Sequence, residues 1–207
     1  LPYTLEWAPF PVKDVVTGRD TYDFTKVDAR LDAIAARGHQ AVIRFALDTP
    51  GKKSGMPQYL IDAGTDTSRT YDFYDNKKIS FSPNYDDPKV QEMLLHFVAA
   101  LGDKYDGDPR IGYITAGLYG FWGEEHTYPY SGYVNNQNPK AINWIPSNEV
   151  RARLVEAWDE ALTTPSSRTA TPPRRRRLTA WGISMIPSAT RPWKGPAGIS
   201  SPSSRSG

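Results

Sequence analysis

Segments of helical periodicity alternate along this chain with short apolar segments, and this alternation limits the fold more than any other feature. Residues 40–47, QAVIRFAL, form an almost continuous apolar segment of strand length. A helix is expected before it, from Thr25 as the N-cap to Gly38, because apolar residues recur there at helical spacing. Continuous apolar strands are typical of a parallel sheet that helices cover on both faces. The sequence therefore predicts an α/β fold.

The same alternation extends over most of the chain. The other predicted elements are a strand at residues 3–7, a loop at 8–20, a short helix at 58–63, a helix at 87–105 with Asp87 as N-cap, a strand at 111–121 and a helix after a Ser147 N-cap. No glycine-rich phosphate-binding motif follows a strand, which disfavours nucleotide-binding α/β folds. Three strand–helix units with long loops after the strands favour a partial (β/α)8 TIM barrel, which a chain of this length cannot close.

The regular pattern ends near residue 163. Residues 164–207 contain eight basic residues and no acidic residue, whereas residues 1–163 carry 17 basic and 23 acidic residues. We therefore expect part of a barrel at 1–163 and a disordered basic tail at 164–207. A frame-shifted translation is an alternative origin of the tail. Because the excess basic charge is confined to the tail, no nucleic-acid partner is expected for the fold.

Several functional classes are excluded or disfavoured by what the sequence lacks. The chain has no cysteine, which excludes disulfides, thiol nucleophiles and cysteine-ligated metal centres. No apolar segment approaches the length of a transmembrane helix, so no membrane partner is expected. The sequence begins LPYTLEW, without a Met or a charged leader, which is typical of a processed or truncated protein.

The densest group of chemically active side chains follows the third predicted strand, in residues 119–130, YGFWGEEHTYPY. A carboxyl group beside Trp122 suits carbohydrate chemistry, because aromatic rings stack on sugars and partial burial favours the protonated acid. Adjacent carboxylates on an extended segment point in opposite directions, so either Glu124 or Glu125 is expected to face the pocket. The alternative is a pair of surface acids beside a structural Trp.

Metal and cofactor chemistry is not expected at this segment. Glu124, Glu125 and His126 are consecutive, so they lack the helical spacing of zinc ligands, and no second His-containing motif accompanies them. His39 falls in a turn before a strand and His96 within a helix, and neither position favours a ligand. The sequence therefore predicts a site without metal or other cofactor.

A second candidate group lies at the strand of residues 40–47. Arg44 interrupts its apolar pattern and Asp48 follows it. At a barrel mouth, the Arg44 guanidinium would offer donors to sugar hydroxyls or to a carboxylate. The alternatives are a buried ion pair and a structural arginine that lines the barrel.

Several segments, in order, resemble known barrel proteins. Two of them, LEWAPFPV and YDFTKVDARLDAIAARGHQAVIRF, are similar to a strand and helix of the retaining clan of β-galactosidases and cellulases. The closer resemblance is to an uncharacterised glycoside-hydrolase-like barrel family, a domain of unknown function. It is carried by GHQAVIRFALDTPGK, MPQYL, SPNYDDPKV and LGDKYDGDPRIGYITAGLYGFWGEEH, and it covers about residues 3–162.

The resemblance implies roles for particular residues. In the clan, the general acid/base is a Glu at the end of the fourth barrel strand, usually directly after an Asn. By position this residue is Glu124, with Gly123 in place of the Asn. The partner carboxylate of a retaining pair comes from the seventh strand, which this chain does not contain. The expected substrate contacts are Trp7, Arg44, Asp48, Trp122, Glu125 and His126.

Three hypotheses follow from the residues and the resemblance together. The first is a fragment of a glycosidase-like barrel that acts on a carbohydrate or glycoside, with Glu124 as general acid/base. The second is a non-catalytic carbohydrate-binding barrel, and the third is an inactive, incomplete gene product. A shifted reading of residues 181–188, WGISMIPS, allows a strand-end motif of the same family, which favours the frameshift origin of the tail. In the first two cases, Glu124 and Trp122 should lie beside Arg44 and Trp7 at neighbouring strand ends.

Overall fold

The computed structural model describes residues 4–163, and the predictions for residues 164–207 lie outside this part of the chain. Its strands are β1 (Leu5–Pro11), β2 (Val16–Gly18), β3 (Thr21–Tyr22), β4 (Gln40–Asp48), β5 (Ile111–Ile114) and β6 (Leu118–Phe121). Its α-helices are α1 (Thr25–Ala35), α2 (Gln58–Asp62), α3 (Pro88–Tyr105) and α4 (Asn148–Ala161). The predicted α/β class is confirmed.

Strand β4 is the centre of a parallel sheet. Strand β1 pairs along one side of it, with Trp7 opposite Val42 and Pro9 opposite Arg44. Strands β5 and β6 both pair in parallel with β4. Ala46 of β4 pairs with Pro11 of β1 on one side and with Leu118 of β6 on the other. Strands β1 and β6 therefore flank β4 on opposite sides.

The region after residue 7 is more regular than the sequence predicted. Strand β1 continues to Pro11, because prolines are tolerated in an edge strand that needs fewer N–H donors. Strands β2 and β3 then form a short antiparallel hairpin within the predicted loop, with Asp20 at a φ of +52° in its turn. The loop prediction for residues 8–20 was therefore wrong.

The predicted strand at residues 111–121 is interrupted between β5 and β6. The interruption begins at Thr115, whose backbone N–H and side-chain hydroxyl both donate to the Ile43 carbonyl, at 3.0 and 3.2 Å. The chain then re-enters the sheet at Leu118, whose φ is +86°. The break lets β6 pair with the end of β4, where the Trp122 N–H donates to the Asp48 carbonyl at 2.7 Å.

The helix boundaries follow local capping signals. Asp87 accepts the Lys89 N–H at the start of α3, and Ser147 accepts the Val150 N–H at the start of α4, as predicted. The prediction for α1 was wrong in detail, because Thr25 is the first helical residue rather than the cap. Its N–H donates to Asp23 Oδ1 at 2.9 Å.

Helices cover one face of the sheet within residues 4–163. Ala41, Ile43 and Phe45 of β4 are buried in a core that includes the apolar residues of α1, α3 and α4. The opposite face is open, with Trp7 47% exposed and Tyr113 61% exposed. The prediction of a sheet covered on both faces was therefore wrong for this part of the chain. The strands form an open sheet and not a closed barrel.

Within residues 4–163, no helix has both the length and the apolar character needed to cross a bilayer.

Candidate functional site

The side chain of Arg44, the middle residue of β4, joins three segments. Its Nη1 donates to Glu124 Oε1 at 2.9 Å, and its Nε donates to the Thr115 hydroxyl at 3.1 Å. The guanidinium carbon lies 4.7 Å from the centre of the Trp7 ring. Trp7, Arg44, Thr115 and Glu124 are called the Arg44 cluster below. It presents an aromatic ring, a fixed cation and a carboxylate on the open face of the sheet.

Glu124 is held in position by a tight turn and not by an extended segment. The Glu124 N–H donates to the Phe121 carbonyl at 2.9 Å, and Trp122 and Glu125 have φ values of +54° and +61°. The two adjacent carboxylates nevertheless diverge. Burial, together with the nearby Glu125 carboxylate, raises the pKa of Tyr119 to about 12, so Glu125 faces Tyr119. Glu124 alone of the two belongs to the Arg44 cluster.

Gly123 occupies a position in this turn where a side chain has no room. Its φ is +69°, and a Cβ placed on it would lie 2.9 Å from the Phe45 carbonyl oxygen of β4. The turn is thus pressed against the backbone of the central strand. The close approach of this turn to β4 therefore explains why a glycine precedes Glu124.

His126 approaches Glu124 from the side opposite Arg44. Its Nδ1 accepts the Tyr128 N–H at 3.2 Å, so the proton of the neutral ring is on Nε2. That Nε2 lies 3.8 Å from Glu124 Oε2. Burial lowers the pKa of His126, while the Glu124 carboxylate opposes this shift. The two oxygens of Glu124 therefore face two different donors, a charged guanidinium and a neutral imidazole.

Trp122 lies in a different aromatic environment from Trp7. Its ring centre is 4.9 Å from that of Tyr74 and 6.2 Å from that of His126. Trp122 is thus connected to the Arg44 cluster through His126 and Glu124. Tyr74 was not among the predicted site residues, because its segment shows no periodic pattern that would place it.

Asp48 is not brought to the surface where Trp7 and Glu124 lie. Its side chain is fully buried, and its Oδ1 accepts the hydroxyls of Tyr71 and Ser80 at 2.6 and 2.7 Å. Its Oδ2 has no hydrogen-bond partner within the described residues, and burial raises the pKa of Asp48 to about 7. Asp48, which was predicted to contact the substrate, instead connects β4 to the following loop inside the protein. The ion pair that Arg44 forms is with Glu124 and not with Asp48.

The remaining histidines lie outside the site. His39 contacts Glu6 at 2.8 Å, and His96 contacts Asp20 at 2.6 Å on the surface. Across residues 4–163, no group of three or more His, Cys, Asp or Glu side chains is arranged to hold a metal ion.

Comparisons with known proteins do not identify the chain. No protein-family model matches its sequence, and a search of curated proteins finds no match. The function must therefore be inferred from the chemistry of the site.

Proposed function

We propose that the Arg44 cluster binds carbohydrate, as one wall of the sugar site of a glycoside-hydrolase-like β/α barrel. The observation that carries this proposal is the position of Arg44 between the Trp7 ring and the Glu124 carboxylate. Trp7 is 47% exposed, so part of its ring is free to stack on a sugar. Arg44 and Glu124 place fixed donors and acceptors beside it, as sugar hydroxyls require.

The barrel is part of the same proposal. Strands β1, β4 and the β5–β6 segment follow one another in space in the order of the sequence, and they run in parallel. Helices cover one face. Thr115 and Glu124 of the Arg44 cluster follow the carboxyl ends of β5 and β6, where β/α barrels place their sites, and they meet Arg44 at the middle of β4. An incomplete barrel would also leave its inner face open, which agrees with the exposure of Trp7 and Tyr113.

The catalytic role of Glu124 is proposed only for a barrel that supplies a second carboxylate. Glycosidases need two carboxyl groups on either side of the scissile bond. Among the described residues, Asp48 is buried and Glu125 faces Tyr119, so neither can serve as the partner of Glu124. In addition, Arg44 holds Glu124 in an ion pair, which suits it to accept hydrogen bonds. Non-catalytic sugar binding is therefore the function that the described residues support best.

Sugar binding is tested by titrating the protein with matched mono- and oligosaccharides of glucose, galactose, mannose and xylose. Replacing Trp7 by Ala should raise the Kd of a bound sugar about tenfold, because it removes the stacking surface. The matched control is Tyr133→Ala, which removes an exposed aromatic ring from a loop outside the cluster. Unchanged affinity in Trp7→Ala, or no sugar bound by the unmodified protein, would contradict the proposal.

This chain is also expected to show no glycosidase turnover. Residues 164–207 contain no acidic residue, and neither Asp48, which is buried, nor Glu125, which faces Tyr119, can act as the second group of the reaction. The measurement is release of chromophore from nitrophenyl glycosides by the purified protein and by Glu124→Gln. Hydrolysis that disappears in Glu124→Gln would show that one chain suffices for catalysis.

A further inference from the structure

A second group of aromatic side chains lies on the surface next to Glu124. Phe73 and Tyr74 are in edge contact, with ring centres 4.4 Å apart. Tyr74 packs on Trp122 at 4.9 Å, and Phe73 packs on Tyr128 at 5.8 Å. These four residues are called the Tyr74 group below. Tyr74 and Tyr128 remain 38% and 46% exposed, so the group offers aromatic surface to a ligand.

The Tyr74 group borders Glu124 on the side away from Trp7. Trp122 contacts His126, and His126 Nε2 is 3.8 Å from Glu124 Oε2, whereas Arg44, which lies over the Trp7 ring, donates to Oε1. Trp7 comes from β1 and Trp122 follows β6, and these strands flank β4 on opposite sides. Neighbouring strands are about 4.8 Å apart, so the two carrying strands are separated by about 10 Å. Along β4, Trp7 is level with Val42 and Trp122 with Asp48, which adds an offset of about 20 Å at about 3.3 Å per residue. That separation is wider than one pyranose ring.

The loop that carries Tyr74 has a strained backbone. Tyr74, Asp75, Lys77 and Lys78 all have φ values between +48° and +58°, a region that side chains other than glycine disfavour. The fully buried Asn76 holds this conformation. Its side chain accepts the N–H groups of Gly51 and Ser80 and donates to the carbonyls of Tyr71 and Ser80. The side chains at the four strained positions are all exposed, and one of them is the Tyr74 ring.

We infer that the Tyr74 group is a further sugar subsite, and that the ligand is an oligosaccharide which crosses Glu124 from Trp7 to Tyr74. The inference rests on the proposed function and specifies that the ligand is longer than one sugar ring. One sugar ring can stack on Trp7 or on the Tyr74 group. A chain of sugars occupies both, and Glu124 and Arg44 then lie beneath a linkage or a central ring.

The test compares binding of matched mono- and oligosaccharides by the same protein. The unmodified protein should bind the oligosaccharide of its preferred sugar about tenfold more tightly than the monosaccharide. Tyr74→Ala and Tyr128→Ala should each remove most of this difference and leave unchanged the monosaccharide affinity that depends on Trp7. Tyr74→Phe, which keeps the ring, should retain the preference. Tyr133→Ala is the matched control for loss of an exposed tyrosine.

The outcomes separate the inference from the function on which it rests. If oligosaccharide binding depends on Trp7 but is unchanged in Tyr74→Ala and Tyr128→Ala, the second subsite is wrong and sugar binding stands. If no sugar of either length binds, both are wrong. Circular dichroism checks that each variant is folded, and Tyr128→Ala tests the subsite should the strained loop not tolerate Tyr74→Ala.

Discussion

Replacing Gly123 by Asn is expected to lower the free energy of unfolding by about 3 kcal/mol, the cost of forcing a side chain into filled space. The Cβ would lie 2.9 Å from the Phe45 carbonyl oxygen, which belongs to the central strand and cannot move without distorting the sheet. The φ of +69° adds a smaller strain, since Asn tolerates the left-handed region better than most residues. Urea unfolding followed by circular dichroism measures the loss.

Gly38→Asn is the matched control for this substitution. Gly38 has a φ of +73°, but a Cβ placed on it would meet no atom within 4 Å. Its replacement should therefore cost only the backbone term, about 1 kcal/mol. Equal stability of Gly123→Asn and Gly38→Asn would mean that the turn does not press on β4 as described.

The result also bears on the resemblance to the retaining hydrolase clan, in which an Asn usually precedes the acid. If Gly123→Asn is strongly destabilised, a side chain cannot be introduced there without moving the whole turn. The absence of that Asn is then a property of how residues 120–125 pack on β4. This would favour binding over the clan's reaction, because the Asn side chain that usually precedes the acid in the clan has no place in this turn.

Sequence reasoning succeeded where the determining signals are local. The caps at Asp87 and Ser147 act within three residues, so the starts of α3 and α4 were predictable. The apolar pattern of β4 fixed the central strand in the same way. The break after Ile114 was not predictable, because it depends on Thr115 bonding to Ile43, a residue distant in sequence.

The candidate site was predictable in the residues that belong to or follow strands and not in its loop residues. Trp7 and Arg44 lie within recognisable strands and Glu124 follows one, and neighbouring strands of a sheet bring such residues together. Tyr74 lies in an irregular segment whose conformation is set by the buried Asn76. A residue's position at a strand end does not show whether its side chain is exposed. For this reason Asp48 was predicted to contact the substrate, although the following loop buries it.

Asp48 connects the central strand to both loops of the site. Its carboxylate accepts hydrogen bonds from Tyr71 and Ser80, on either side of the strained segment, and its carbonyl accepts the Trp122 N–H. Because burial raises its pKa to about 7, the folded protein holds a proton here that the unfolded chain releases near the usual value of 3.8. Stability from this group is complete below about pH 4 and is lost as the pH rises to about 7.

Asp48→Asn should reveal this dependence, because the amide keeps the shape of the carboxyl group and cannot ionise. Between pH 4 and pH 8, the stability of Asp48→Asn relative to the unmodified protein should rise by about 4 kcal/mol, which is the difference between a pKa of about 7 and the usual 3.8 expressed as free energy. Taking the difference at each pH cancels the contributions of other titrating groups, including His126, whose lowered pKa acts in the opposite direction in this range.

Tyr71→Phe removes one hydrogen-bond donor to the Asp48 carboxylate. In this variant, the loss of stability should extend to higher pH than in the unmodified protein. Urea unfolding at each pH provides the data, and a difference between Asp48→Asn and the unmodified protein that stays constant with pH would show that Asp48 is ionised in the fold.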